Sequence, residues 1–246
     1  MHTLRTFLRR ALKPVGHTMY VWGGGWNQAD SGAGAEACAL APSPRWARFA
    51  ARQGADYDWH DTRYCIHDGL DCSGFVGWAV YGVFAACDEC EGYVMPAARM
   101  AADFAARGWG CFTPAPKVHE RQAGDVLSTQ GHVYLSLGDC ADGSALFVHA
   151  SPPGVQLGGS PAPDGTPDSQ AVALARAWMR ACRPDWYARF PQVARPMAYV
   201  TDYDRFRWVA RVLPDPDGVR NMDARAVLDE ICNTDDALQA CPSVLI

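Results

Sequence analysis

The stretch Gly69-Leu70-Asp71-Cys72-Ser73-Gly74-Phe75-Val76 constrains this chain more than any other. An acid, a cysteine and a serine stand at the head of an apolar run that continues through Phe84. Positions 72, 75, 76, 79, 80, 83 and 84 fall on one face at helical spacing, which predicts a buried helix with Cys72 in its first turn. A cysteine there meets the positive end of the helix dipole and unpaired backbone N–H groups, and both favour thiolate over thiol. The alternative is a small core residue, since free cysteine is among the most buried residue types.

At 246 residues, 49% of them apolar and 20% charged, the chain has ordinary globular composition and can bury a sizeable core. The net charge of −5 argues against a nucleic-acid partner, and no basic run suggests a membrane surface. No apolar run is long enough to span a bilayer. Residues 1–13 are basic but lack the apolar core and cleavage site of a signal peptide; Leu4, Phe7, Leu8, Ala11 and Leu12 predict a short amphipathic helix instead. The default expectation is a cytoplasmic protein, or a secreted or cell-wall-associated one if a leader has been removed. Without an export signal the ten cysteines are expected to be reduced thiols. Cys87-Asp88-Glu89-Cys90 has the spacing of a zinc knuckle or redox pair, but no second such pair accompanies it and a structural zinc site needs four ligands. Neither a metal nor a cofactor is expected.

Beyond the first helix, Met19-Tyr20-Val21-Trp22 reads as a short extended segment entering a glycine turn. Residues 26–68 lack sustained periodicity apart from a helical stretch at 44–53, and their aromatic content argues against disorder. Pro96 opens a further helix that Gly108 closes. Strands are expected at 126–128, 132–137 and 145–149, the last two forming an antiparallel hairpin around a turn rich in Gly and Asp. Residues 151–169 hold five prolines and four glycines and are expected to form an exposed loop. A helix follows at 169–182, one or two strands within 197–213, and a last helix at 223–231.

A thiolate nucleophile needs a base that can also protonate the leaving group, and histidine titrates in the right range. The imidazole in turn needs a polar group to orient it. Of the seven histidines only His132 and His149 lie in strand-like runs, in consecutive strands of the expected hairpin. Each alone reads as structural or surface; together with a cysteine at a helix start they point to catalysis.

Five segments in order, Tyr20-Val21-Trp22-Gly23-Gly24, Leu70-Asp71-Cys72-Ser73-Gly74-Phe75, Gly124-Asp125-Val126, Gly131-His132-Val133 and Phe147-Val148-His149-Ala150, resemble the successive motifs of the NlpC family of cysteine peptidases. The resemblance covers residues 4–25, 68–150 and a piece beyond 185, where either Trp186-Tyr187-Ala188-Arg189-Phe190 or the run starting at Phe206 matches the closing strand. It implies an α+β, papain-like domain with helices packed on an antiparallel sheet, and hydrolysis of cell-wall peptides, most often between γ-D-glutamate and a diamino acid. It also implies that Cys72 is the nucleophile, His132 the base and acid, His149 the orienting residue and Tyr20 a hydroxyl near the oxyanion. Asp71 and Ser73 match positions that hold the free amino end of a peptide stem.

Tyr20 and Cys72 are separated by 51 intervening residues, so residues 26–68 read as an insertion that leaves and re-enters beside the site, and 151–185 as a second one. The resulting expectation is one catalytic domain over residues 1–213, with 214–246 as a helical extension packed on it. The expected substrate is a peptide or muropeptide cleaved through a thioester. Acyl or amide transfer through the same thioester, a non-catalytic binding domain of the same fold, and a zinc-stabilised module using Cys87 and Cys90 are the other readings.

Overall fold

The computed structural model describes residues 2–85 and 91–232. Its first helix, α1 (Leu4–Leu12), starts at a reciprocal cap in which the Thr6 N–H donates to Thr3 Oγ1 and the Thr3 N–H donates to Thr6 Oγ1. There follow β1 (Met19–Tyr20), α2 (Pro44–Ala50), β2 (Gly69–Leu70), α3 (Cys72–Phe84), α4 (Met100–Ala106) and β3 (Gly110–Thr113). The remainder holds β4 (Val126–Ser128), β5 (Val133–Asp139), β6 (Ala145–Ser151), β7 (Gly154–Gly159), α5 (Gln170–Cys182), α6 (Pro184–Arg189), β8 (Asp204–Trp208) and α7 (Ala224–Cys232). The fold is therefore α+β. One eight-stranded sheet carries it, in the order β2-β1-β7-β6-β5-β4-β8-β3.

Every strand pair is antiparallel except β1 and β2, which run parallel with Met19 opposite Gly69 and Tyr20 opposite Leu70. This corrects the expectation of a purely antiparallel sheet. The long excursion between Tyr20 and Gly69 gives the chain room to return in the same direction, as a parallel pair requires. That return delivers Cys72 directly after β2.

Helix α3 is apolar all round, and every residue from Cys72 to Phe84 except Tyr81 and Phe84 is buried. One-sided spacing understates this. The helix packs on α1, on β5 and β6, and on a turn of the insertion at residues 35–38. Arg10 of α1 seals the junction: its guanidinium donates to the carbonyls of Trp78, Ala39 and Leu40 and lies 3.9 Å over the Trp78 ring. A Cβ at Gly74 would run into the carbonyl of Gly24, so the head of α3 rests directly on the glycine turn after β1. At the far end of the chain, α7 packs on α1 and β5.

Residues 151–169 do not form an exposed loop throughout. Gly154–Gly159 is a fully buried strand, β7, paired with β6 from Leu146–Gly159 to Ser151–Gly154 and with β1 at Met19–Gly154. Its glycines read as loop signals, yet they admit close neighbours: a Cβ at Gly159 would meet the backbone of Val172 in α5. The stretch 197–200, expected to be extended, is a 3-10 turn started by Pro196, whose carbonyl accepts from the Tyr199 N–H. The run around Phe206 forms strand β8, while residues 186–189 belong to α6. Among the described residues no helix is long and apolar enough to cross a membrane.

Candidate active site

Asp71 builds the first half of the site. As the N-cap of α3 its carboxylate accepts from the Gly74 N–H at 2.7 Å, the Ser73 hydroxyl at 2.8 Å and the Gly23 N–H at 3.2 Å. A carboxylate offers about four lone-pair sites, so three donors engage most of this one. Burial pushes Asp71 up to about 6 despite those donors. Ser73 is committed as well, donating to Asp71 and accepting from the Trp26 indole at 3.0 Å. Both residues line the same groove as Cys72, with their polar atoms turned to one another.

The Cys72 sulfur lies at the first position of α3, where the backbone N–H groups of Val133, Ser73 and Cys72 itself face it. Burial outweighs them and, with the Asp71 charge adding to it, pushes the thiol up to about 12. The dipole argument from sequence therefore points the wrong way for the resting protein: the sulfur is a thiol. Tyr20, from β1, lines the groove too, and burial followed by the nearby sulfur raises its phenol well above the usual range, so it is a neutral donor.

The second half stands on β5 and β6. His132 sits one residue before β5, in a turn where the Thr129 N–H donates to its carbonyl and its own N–H donates to Thr129 Oγ1. His149 is in β6 and is fully buried. Strand alternation puts both rings on the sheet face that carries Tyr134, Phe147 and Tyr199, whereas Val133, Leu135, Val148 and Ala150 share the core with α3. The helix start thus meets the histidines around the end of β5, through the Val133 N–H, and not across the face it packs on.

The ring centroids of His132 and His149 are 5.8 Å apart, edge to face, and the Nε2 atoms of both are buried without a hydrogen-bond partner. His149 Nδ1 lies 3.0 Å from Ser151 Oγ, which also accepts from the Tyr199 hydroxyl at 3.4 Å. Burial, and then the Arg195 guanidinium, push His132 down to about 4; burial, Arg195 and His132 hold His149 well below its usual value. Both imidazoles are neutral. Arg195 has two nitrogens, Nε and Nη2, buried without partners.

The structure thus brings Tyr20, Asp71, Cys72 and Ser73 to one groove and sets His132 and His149 beside it. Sequence reasoning missed Ser151, Tyr199 and Arg195. Ser151 carried a weak signal, lying two residues beyond His149 on the same strand face; Arg195 carried none. Asp125 of the glycine–aspartate motif has a structural role: buried, it takes a two-pronged ion pair from Arg207 (2.8 and 2.7 Å) that ties the start of β4 to β8.

The groove measures about 410 Å³. Cys72, Pro96, Ala97, Gln130 and Gly131 line it, as do Trp26, Asp30 and Tyr64 from the segment 26–68 and Trp22, two residues beyond β1. Cys38, Cys65, Cys72, Cys111, Cys140 and Cys232 are free thiols, whereas Cys182 is disulfide-bonded, so the cysteines are not all reduced. Cys87 and Cys90 lie outside the described residues; among the described residues no cluster of His, Cys, Asp or Glu is arranged to hold a metal ion. A comparison of the chain with family models, curated proteins and solved structures finds no match.

Proposed function

We propose that the chain is a cysteine peptidase of NlpC type, with a papain-like catalytic domain, that hydrolyses an amide through a thioester on Cys72. The observation that carries this reading is the placement of Cys72: at a helix start, lining a groove, its sulfur against the N–H of Val133, the residue after His132. His132 takes the thiol proton as the sulfur attacks the carbonyl carbon, then passes it to the departing amine, leaving an acyl group on sulfur. Water, deprotonated by the same imidazole, releases the acid and restores the thiol. The Cys72 N–H and the Tyr20 hydroxyl donate to the oxygen on which charge develops.

Both partners being neutral at rest, proton transfer accompanies attack and no ion pair stands ready. His149 orients His132 once a proton bridges the two rings. For that, His149 needs its hydrogen on Nδ1, donated to Ser151 Oγ, leaving Nε2 free to accept. The proposed substrate is a γ-D-glutamyl–diamino acid peptide or a related amide. The test is amine release from a panel of such peptides by wild type and by Cys72→Ala. Wild type should cleave at least one member, and Cys72→Ala should lose that activity by about a thousandfold or more while remaining folded. Equal turnover by the two proteins, or none by wild type across the panel, would overturn the reading.

A further inference from the structure

Tyr20 ends a strand of only two residues, so its own ladder does little to hold it. Its N–H donates to the Pro153 carbonyl at 2.8 Å, and its carbonyl accepts from the Tyr57 hydroxyl at 2.7 Å. A carbonyl can only accept, so the single Tyr57 proton is committed there. Thr62 Oγ1, 2.7 Å from the same phenol oxygen, is therefore the donor of that second pair. Tyr57 is itself placed from within the segment 26–68: its ring meets Phe49 of α2 edge to face at 6.3 Å, and its N–H donates to the Gly54 carbonyl.

A second residue of the same segment sets the Tyr20 ring. Trp59 meets it edge to face, with 5.7 Å between centroids and 88° between planes. Trp59 in turn stacks with Trp22 at 5.9 Å and lies 3.9 Å from the His60 ring. Asp58 pins that imidazole, accepting from the His60 N–H at 2.9 Å and bonding its Nδ1 at 2.6 Å. Edge-to-face pairs contribute beyond the area they bury and fix the plane of a ring. The backbone and ring of Tyr20 are thus held, and its hydroxyl is not. Tyr20 is 7% exposed and lines the groove, and among the described residues no hydrogen bond engages its hydroxyl. A buried phenol fixed everywhere but at the oxygen is arranged to donate to a group that enters the groove.

We infer that Tyr57 and Trp59 are positioning residues, through which the segment 26–68 holds the Tyr20 hydroxyl where the oxygen of the attacked carbonyl gains charge. The inference rests on the hydrolase reading for what Tyr20 does, and on the contacts above for what holds it. It gives the long excursion between β1 and β2 a part in the chemical step, beyond lining the groove.

The test is a double-mutant cycle on the full-length protein, read with a panel peptide that wild type cleaves. Tyr20→Phe should lower kcat about a hundredfold. Tyr57→Phe and Trp59→Leu should each lower it about tenfold, with KM changing by less than about twofold. Trp59→Phe, which keeps an aromatic edge, should recover most of the Trp59→Leu loss. In the Tyr20→Phe background neither Tyr57→Phe nor Trp59→Leu should lower kcat further. Losses that multiply in that background, or that fall on KM alone, would overturn the positioning role and leave the hydrolase reading standing. A second readout needs no turnover. In protein labelled with 3-fluorotyrosine, the Tyr20 fluorine resonance, identified by its loss in Tyr20→Phe, should broaden in Tyr57→Phe, which keeps both rings and removes one hydroxyl. An unchanged resonance would overturn the inference. A broadened one in a protein that cleaves no panel peptide would sink the hydrolase reading and leave the brace on Tyr20 standing.

Discussion

The two halves of the site are built in opposite ways. Around the Cys72 sulfur the polar groups are engaged: Asp71 accepts from three donors, Ser73 bridges Asp71 and Trp26, and the sulfur faces three backbone N–H groups. On the histidine side three groups are buried with atoms left unpaired, namely His132, His149 and Arg195. A satisfied network fixes geometry, while unpaired buried polar atoms carry a cost that a ligand or a proton can relieve. The contrast teaches that the surroundings of Cys72 are fixed by a satisfied network, whereas the two imidazoles stay desolvated and neutral.

The comparison breaks most visibly at His132. His132→Gln should lower turnover by about a thousandfold and leave the unfolding temperature at pH 8 nearly unchanged, since the wild-type ring has no Nε2 bond to lose. A large loss of stability would mean that the histidine half is structural. The same variant reads the acid limb. The folded His132 value of about 4 lies below its unfolded value, so the buried ring carries no proton-linked penalty above pH 6.5 and destabilises the fold as pH falls toward 4. The difference amounts to about 3 kcal/mol. Asp71 has the opposite sign, being raised to about 6, so its contribution grows over the same fall in pH. Urea unfolding of wild type and His132→Gln at pH 7 and pH 4.5 isolates the imidazole: the wild type should lose more than the variant, and equal losses would contradict a buried neutral ring.

The resting thiol gives a smaller effect. At pH 7 iodoacetamide should modify the exposed Cys65 and Cys111 roughly a hundredfold faster than Cys72, whose labelling should accelerate as pH rises toward 10. Cys72 reacting first would restore the thiolate that the helix dipole suggests. Smallest in magnitude is Asp71→Ala, which strips the cap from α3 and orphans its buried donors. It should cost about 2 kcal/mol, lowering the unfolding temperature by roughly 4–8 °C. An unchanged unfolding temperature would remove the distinction between a braced half and an open one.

Much of this was legible in the sequence, for reasons that particular residues make plain. The helical spacing from Cys72 to Phe84 and the strand-like runs at 132–137 and 145–149 around a turn of Gly and Asp are local signals, so α3 and the β5–β6 hairpin could be read from them. Strand β7 could not, because Gly154, Gly158 and Gly159 carry the composition of a loop while serving close packing against β1, His149 and α5. The order of motifs located Tyr20, Cys72, His132 and His149, yet local sequence carries no record of desolvation. That is why the thiolate expectation failed at Cys72 and why Arg195, distant in the chain, went unseen. The long excursion over residues 26–68 was legible from the distance between Tyr20 and Cys72; the faces its aromatics present depend on turns at Asp30 and Tyr64 that no propensity encodes.

The central claim is that an acyl group passes through the Cys72 sulfur. Acid-quenching wild-type protein during turnover of a cleaved panel peptide, followed by mass spectrometry of its proteolytic fragments, tests this most directly. The account predicts the mass of the substrate's acyl half on the fragment holding Cys72, released by hydroxylamine and absent from Cys72→Ala. Steady turnover with that fragment unmodified, or an acyl group on any other of the ten cysteines, would contradict it.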